Sequence, residues 1–83
     1  MPTFRLCFLY GRSYSVTIDE DVVTLPSLRK TIETHLPPLR EMDEYMCVVS
    51  GKPPHRLNLD DEQEFNEYRT LITTGCYVWM KLK

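Results

Sequence analysis

The sequence predicts an α+β domain in which a mixed sheet of four or five strands packs on one main helix, and three observations support this class. Segments 3–9 and 13–18 alternate between apolar and polar residues, which is typical of a β-hairpin with one solvated face. Segment 25–36 has apolar residues at helical spacing, and segment 76–83 alternates again. The chain has 83 residues, which fit a single domain spanning residues 1–83.

The first two segments are predicted to pair as a hairpin because a short turn with a glycine, Tyr10-Gly11-Arg12, separates them. Alternate residues of a strand point to opposite faces, so one side of this hairpin is apolar. That side consists of Phe4, Leu6, Phe8, Tyr14, Val16 and Ile18. We expect it to face the core, with Arg5, Cys7 and Leu9 on the opposite side of the first strand.

The main helix is predicted for residues 25–35. Thr24 is a suitable N-cap, and Pro26 falls in the first turn, where its missing N–H costs little. The apolar stripe repeats at intervals of three and four residues and consists of Leu25, Leu28, Ile32 and Leu36. The pair Pro37-Pro38 ends the helix, since the residue before a proline avoids helical geometry.

The second half of the chain adds a strand, a short edge strand and a second helix. Segment 45–50 is apolar on both faces, which leaves its orientation open, and segment 56–59 follows a proline-containing loop. A helix is predicted near 61–72, where Asp61 and Glu64 have the spacing of a capping box. Its expected buried face consists of Phe65, Tyr68, Leu71 and Ile72. The helix is expected to end at Gly75.

The final strand separates two kinds of side chain. The side expected to face the main helix consists of Cys76, Val78, Met80 and Leu82. Tyr77 and Trp79 then share the solvated face with Lys81 and Lys83, because one helix covers only one side of a sheet. The element order, β-β-α-β-(β)-α-β, is that of a β-grasp arrangement.

This pattern resembles that of ubiquitin-like proteins over most of the chain. The turn at Gly11 and the cap at Thr24 have counterparts in the family, as do LPPL at 36–39, VVSGK at 48–52 and VWMKL at 78–82. The resemblance implies a β-grasp fold. It also implies that Leu9, Val48 and Trp79, with Val48 facing outward, occupy the places of the family's apolar recognition patch.

Two departures leave the subfamily open. No Gly-Gly follows Leu82, so a ubiquitin-like modifier precursor would need a diglycine end beyond Lys83. The segment RLNLDDEQEFNEY at 56–68 resembles PB1 domains, in which an acidic, polar-capped helix follows the fourth strand. The acidic signature of PB1 domains is missing from GKPPHRLNL, and only Arg5 could supply the basic residue that PB1 partners present on the first strand.

A solvated tryptophan and tyrosine with aliphatic neighbours have the composition of a protein-binding hot spot. We therefore expect a non-enzymatic domain that binds another protein through the exposed sheet face. The expected partner-binding residues are Trp79, Tyr77, Leu9, Val48, Arg5 and Lys81. The alternative is a PB1-like scaffold or oligomerisation module with an acidic surface. That surface would consist of Asp60, Asp61, Glu62 and Glu64.

The sequence gives little support for catalysis or for metal binding. Cys7, Cys47 and Cys76 are odd in number and lack CxxC spacing, which favours free thiols in a reducing, cytoplasmic setting. His35 and His55 lie at a helix end and in a proline loop, and a Cys–His pair in three dimensions is left open. Nothing around the cysteines supplies the positive, partly exposed setting of a reactive thiolate, so we predict no catalytic residue, metal site or cofactor.

Composition also bears on partners and location. The net charge of −2 and the absence of a basic stripe argue against nucleic acid as a partner. No apolar run approaches the about 20 residues of a membrane span, and Arg5 interrupts the N-terminal segment, so we expect no secretory leader. The domain could head a longer scaffold or cytoskeletal protein, with self-association through downstream regions left open.

Overall fold

The structure, a computed structural model that describes residues 1–83, has the α+β architecture that the sequence predicts. The five strands are β1 at Thr3–Phe8, β2 at Ser13–Thr17, β3 at Tyr45–Val49, β4 at His55–Leu57 and β5 at Tyr77–Leu82. The helices are α1 at Leu25–His35 and α2 at Glu62–Tyr68. Two short 3₁₀ turns lie at Met42–Glu44 and Arg69–Leu71, and the first of these was not expected.

The strands form one mixed sheet in the order β2-β1-β5-β3-β4. Strand β5 lies at the centre, parallel to β1 and antiparallel to β3, and β4 is an edge strand as predicted. This arrangement is β-grasp-like. Its central strand is the last to appear in the sequence, and both faces of the sheet are therefore organised around residues 77–82.

In the turn that joins β1 and β2, the glycine is not the residue that adopts the left-handed backbone conformation. The left-handed residue is Tyr10, with a φ of 60°, while Gly11 has no positive φ. The Gly11 N–H donates to the Phe8 carbonyl at 2.9 Å, and a Cβ on Gly11 would lie 3.2 Å from the Phe8 Cβ. Close approach to Phe8, and not backbone freedom, is what favours glycine here.

Helix α1 begins and ends where the sequence predicts. The Thr24 hydroxyl accepts the Ser27 N–H at 3.3 Å, and the Ser27 hydroxyl accepts the Thr24 N–H at 3.2 Å, so the two side chains cap the helix reciprocally. Pro26 lies in the first turn, and the helix stops at His35, before Leu36 and the two prolines. The buried stripe of α1 consists of Leu25, Leu28 and Ile32.

The core lies between α1 and one face of the sheet. Leu28 and Ile32 are fully buried, as are Val78 and Met80 of β5. The predicted apolar side of the hairpin is buried except for Tyr14, whose ring is half-buried against the core. That core-facing side of the sheet consists of Phe4, Leu6, Phe8, Tyr14, Val16 and Ile18 from the hairpin, with Tyr45, Cys47 and Val49 from β3 and Val78 and Met80 from β5.

Two apolar residues expected in the core are exposed. Leu82 is 44% exposed at the end of β5, where it pairs with Tyr45 at the margin of the sheet. Leu71 is 42% exposed, because α2 ends at Tyr68 and Leu71 lies at the end of the following 3₁₀ turn, outside the α-helical spacing on which its burial was predicted. Cys76, also expected to face inward, is half-buried against the core.

The second helix is shorter than predicted. Asp61 caps it, since its Oδ1 accepts the N–H groups of Gln63 at 3.0 Å and Glu64 at 3.2 Å. The Glu64 carboxylate does not complete a capping box and instead accepts a hydrogen bond from Asn58. Gly75, with a φ of 92°, lies in the turn before β5 and donates to the Thr3 carbonyl, so it does not terminate the helix.

Leu28→Ala is expected to lower the free energy of unfolding by about 2–5 kcal/mol, because truncation at this fully buried site leaves a cavity between helix and sheet. Leu82→Ala removes the same atoms from an exposed position and should cost under about 1 kcal/mol. Urea unfolding followed by Trp79 fluorescence measures both. Equal losses for the two variants would contradict the assignment of Leu28 to the core.

Candidate functional site

The sheet face turned away from α1 is called the open face. Residues paired across neighbouring strands share a face, so the register identifies its members. They are Thr3, Arg5, Cys7 and Leu9 along β1, Ser13, Ser15 and Thr17 on β2, Met46 and Val48 on β3, Arg56 on β4, and Tyr77, Trp79 and Lys81 on β5.

Strand β3 resolves the orientation that its sequence left open. Tyr45, Cys47 and Val49 are buried, whereas Met46 and Val48 between them are only partly buried. Met46 and Val48 therefore point to the open face. Val48 thus takes the outward orientation on which the proposed apolar patch depends.

The pairing brings the six predicted binding residues onto this one face. Trp79 of β5 lies opposite Cys7 on one side and Val48 on the other. Tyr77 lies opposite Arg5, one row away. The Leu9 N–H donates to the Met80 carbonyl at 3.0 Å, which places Leu9 beside Lys81 in the next row. Trp79 is therefore central, with Tyr77 and Lys81 along its own strand.

The two aromatic side chains form a defined pair. The Tyr77 and Trp79 ring centroids are 6.4 Å apart and the ring planes meet at 72°, an edge-to-face arrangement. Tyr77 is 47% exposed and Leu9 is 40% exposed, while Trp79 is half-buried. Cys7 is buried although it lies on the open face beside Trp79. Trp79 therefore leaves only part of its side-chain surface available to solvent.

The residues predicted as an acidic surface are largely occupied within the chain. Asp61 caps α2, and the Glu64 Oε2 accepts a hydrogen bond from Asn58 Nδ2 at 3.1 Å. The Asp60 carboxylate lies 3.6 Å from Arg29 Nη1, although its side chain is 81% exposed. Only Glu62 has no such contact. These interactions stabilise the start of α2 and its attachment to α1.

The three cysteines are free thiols in environments that disfavour ionisation. Burial raises the pKa of Cys47 to about 12, and the neighbouring Cys76 contributes to the same shift. Burial also raises the pKa of Cys76, and it raises the pKa of Cys7 even though the Arg5 guanidinium acts in the opposite direction. Because the thiolate is the nucleophilic form, these environments favour a structural role for the cysteines.

The histidines lie apart and interact with aromatic rings. The His35 ring centroid is 4.3 Å from that of Tyr14, and the His55 centroid is 4.0 Å from that of Tyr68. His35 Nδ1 also lies 2.9 Å from the Thr31 carbonyl oxygen. No group of three or more His, Cys, Asp or Glu side chains is arranged to hold a metal ion. None of the helices has the length and apolar character needed to cross a bilayer.

The large side chains of Met46 and Arg56 also lie on the open face, although neither was predicted as a site residue. Met46 pairs with Lys81, and Arg56 pairs with Val48, so both extend the surface around Trp79. Met46 could not be assigned to the open face from the sequence, because both faces of β3 are apolar. Arg56 becomes assignable only after Val48 is known to face outward, because its position depends on antiparallel pairing with β3.

Comparisons with family models, curated proteins and solved structures give no significant match for this chain.

The stability of the domain is expected to fall as pH rises above 9, because Cys47 ionises less readily when folded than when unfolded. The unfolded thiol titrates near pH 9.0 and the folded one near 12, so the unfolded state binds fewer protons in that window. Urea unfolding at several pH values from 7 to 11 measures this slope. Cys47→Ala should make the slope shallower, whatever its own stability at pH 7. An unchanged slope would show that Cys47 does not cause the alkaline loss.

Proposed function

We propose that this chain is a non-enzymatic protein-interaction domain that binds a partner protein through the open face. The observation that carries the proposal is the Tyr77–Trp79 pair, which lies with Leu9 and Val48 on the side of the sheet that α1 does not cover. A cluster of large apolar side chains left accessible on a small domain is typical of a partner site.

Each residue is proposed to make a different contribution to binding. Trp79 is the anchor, because it lies at the centre of the face and its large indole is partly accessible to a partner. Tyr77 and Leu9 flank it and are more exposed. Arg5 and Lys81 form a polar rim, where charges influence orientation and association rate more than affinity.

The resemblance to ubiquitin-like proteins supports this proposal. Leu9, Val48 and Trp79 would together correspond to the apolar recognition patch of that family. Three free thiols, two of them buried, also fit a protein that works in a reducing compartment such as the cytoplasm.

The acidic surface is a weaker alternative. Most of its carboxylates already have partners within the chain, as Asp61 and Glu64 do at the start of α2. A surface whose charges are engaged in capping and local hydrogen bonds has less to offer a basic partner. A PB1-like contact would require Asp60 and Glu62 to supply most of the binding energy.

Trp79→Ala is expected to weaken partner binding by about 2 kcal/mol or more, roughly thirtyfold, since it removes the anchor of the face. Peptides selected from a random phage-displayed library on the wild-type domain supply binders, and calorimetry measures their affinity for each variant. Tyr10→Asn is the matched control. It alters an aromatic residue that is 99% exposed in the hairpin turn, and asparagine tolerates the left-handed backbone there.

Three results would overturn the proposal. Selected peptides that bind Trp79→Ala as tightly as the wild type would place the site elsewhere. Loss of binding to Asp60→Asn combined with Glu62→Gln, with Trp79→Ala unaffected, would favour the acidic surface. A thermal midpoint that falls sharply in Trp79→Ala, with the binding loss explained by unfolding, would show that the indole belongs to the core.

A further inference from the structure

The charges of this chain are segregated between the open face and the rest of the surface. Arg5, Arg56 and Lys81 lie on the open face, and none of the residues that form this face is acidic. The whole chain nevertheless has twelve acidic residues against ten basic ones, for a net charge of −2. A cationic face on an acidic protein is thus a local feature that the overall composition does not predict.

Two cations of the open face, Arg5 and Lys81, form no ion pair within the chain. The two ion pairs of the structure, Arg29–Asp60 and Arg40–Glu44, both lie elsewhere. Arg5 donates from Nη2 to the neutral Ser13 hydroxyl at 3.0 Å. Lys81 lies between Leu9 and Met46 without a carboxylate within 4.0 Å. These charges are consequently available to an external anion.

The backbone positions of the cations and of the aromatic anchor fall in successive rows of the neighbouring strands β1 and β5, while the Arg5 guanidinium reaches across to Ser13 of β2. Arg5 lies beside Tyr77, Trp79 comes next, and Lys81 follows it. Rows two residues apart in a strand are separated by about 6.5 Å, so the Arg5 and Lys81 rows lie about 13 Å apart with Trp79 midway. In an extended peptide, this distance corresponds to side chains about four residues apart, with a third side chain between them on the same face.

We propose that the open face binds an acidic protein segment in which an apolar side chain packs on Trp79 and flanking carboxylates pair with Arg5 and Lys81. This inference rests on the proposed function and specifies the chemistry of the partner. The pattern that fits is acid-x-apolar-x-acid in an extended segment. A carboxylate near each cation gains charge-assisted hydrogen bonds, and the leucine or aromatic residue between them supplies the apolar contact.

A protein segment fits this surface better than nucleic acid does. Binding to a phosphate backbone depends on many cation–phosphate contacts, and the open face offers three cations on a chain of net negative charge. Arg56 is also close to acidic side chains, since it lines the same surface pocket as Asp60 and Glu64. A long polyanion that extended past Arg56 would meet these carboxylates.

The test uses the fluorescence of Trp79, the only tryptophan of the chain. The probes are three blocked peptides: Gly-Glu-Glu-Ser-Leu-Ser-Glu-Glu-Gly, the same peptide with glutamine for each glutamate, and the same peptide with lysine for each glutamate. The glutamate peptide should half-saturate the signal at a concentration about tenfold below that of the glutamine peptide, and the lysine peptide should bind more weakly still. A single-stranded oligothymidine of nine nucleotides is titrated in parallel.

Charge-reversal variants assign the effect to the face. Arg5→Glu combined with Lys81→Glu should remove the preference for the glutamate peptide or invert it toward lysine. Lys30→Glu is the matched control, because Lys30 is exposed on α1, away from the open face, and the preference should survive. Thermal midpoints establish that the variants are folded.

Equal binding of the three peptides, no response to any of them, or tighter binding of the oligothymidine would each overturn the inference. These failures remain distinct from failure of the proposed function. Library-selected peptides whose binding depends on Trp79 but which show no excess of acidic residues would contradict the preference for acidic segments. The same result would still support protein binding at the open face.

Discussion

The packing of Leu28 and Ile32 against one side of the sheet determines how the rest of the chain uses its side chains. The main helix covers that side only, so each strand must send one set of residues into the core and the other toward solvent. In β5 this rule buries Val78 and Met80 and turns Tyr77 and Trp79 outward. The aromatic pair is thus displayed by the same alternation that fills the core, and no separate device is required to expose it.

The elements with a clean periodicity were predictable from the sequence, and those without one were not. The hairpin, α1 with its Thr24 cap, and the two faces of β5 follow from alternation and helical spacing. The orientation of β3 does not, because both of its faces are apolar and only pairing with β5 decides between them. Leu82 was misassigned since alternation identifies the side of a strand but not whether the core extends to its end.

In the candidate site, too, neighbours along one strand were predictable from the sequence, whereas neighbours on other strands were not. Trp79, Tyr77 and Lys81 are adjacent on one strand, so their shared face is visible in the sequence. Their neighbours across the sheet, above all Val48 and Arg56, depend on register. The lack of acidic residues on the open face is a property of five strands together, which explains why a chain with an unremarkable net charge gives no hint of it.

The central place of β5 has a consequence for synthesis of the protein. Its neighbours β1 and β3 pair in the sheet only through residues 77–82, which are the last of the domain's elements to be synthesised. Until then the hairpin and α1 hold an apolar surface that includes Phe4 and Leu6 without the strand that completes their layer. The sheet can therefore close, and this apolar layer be completed, only after residues 77–82 have been synthesised.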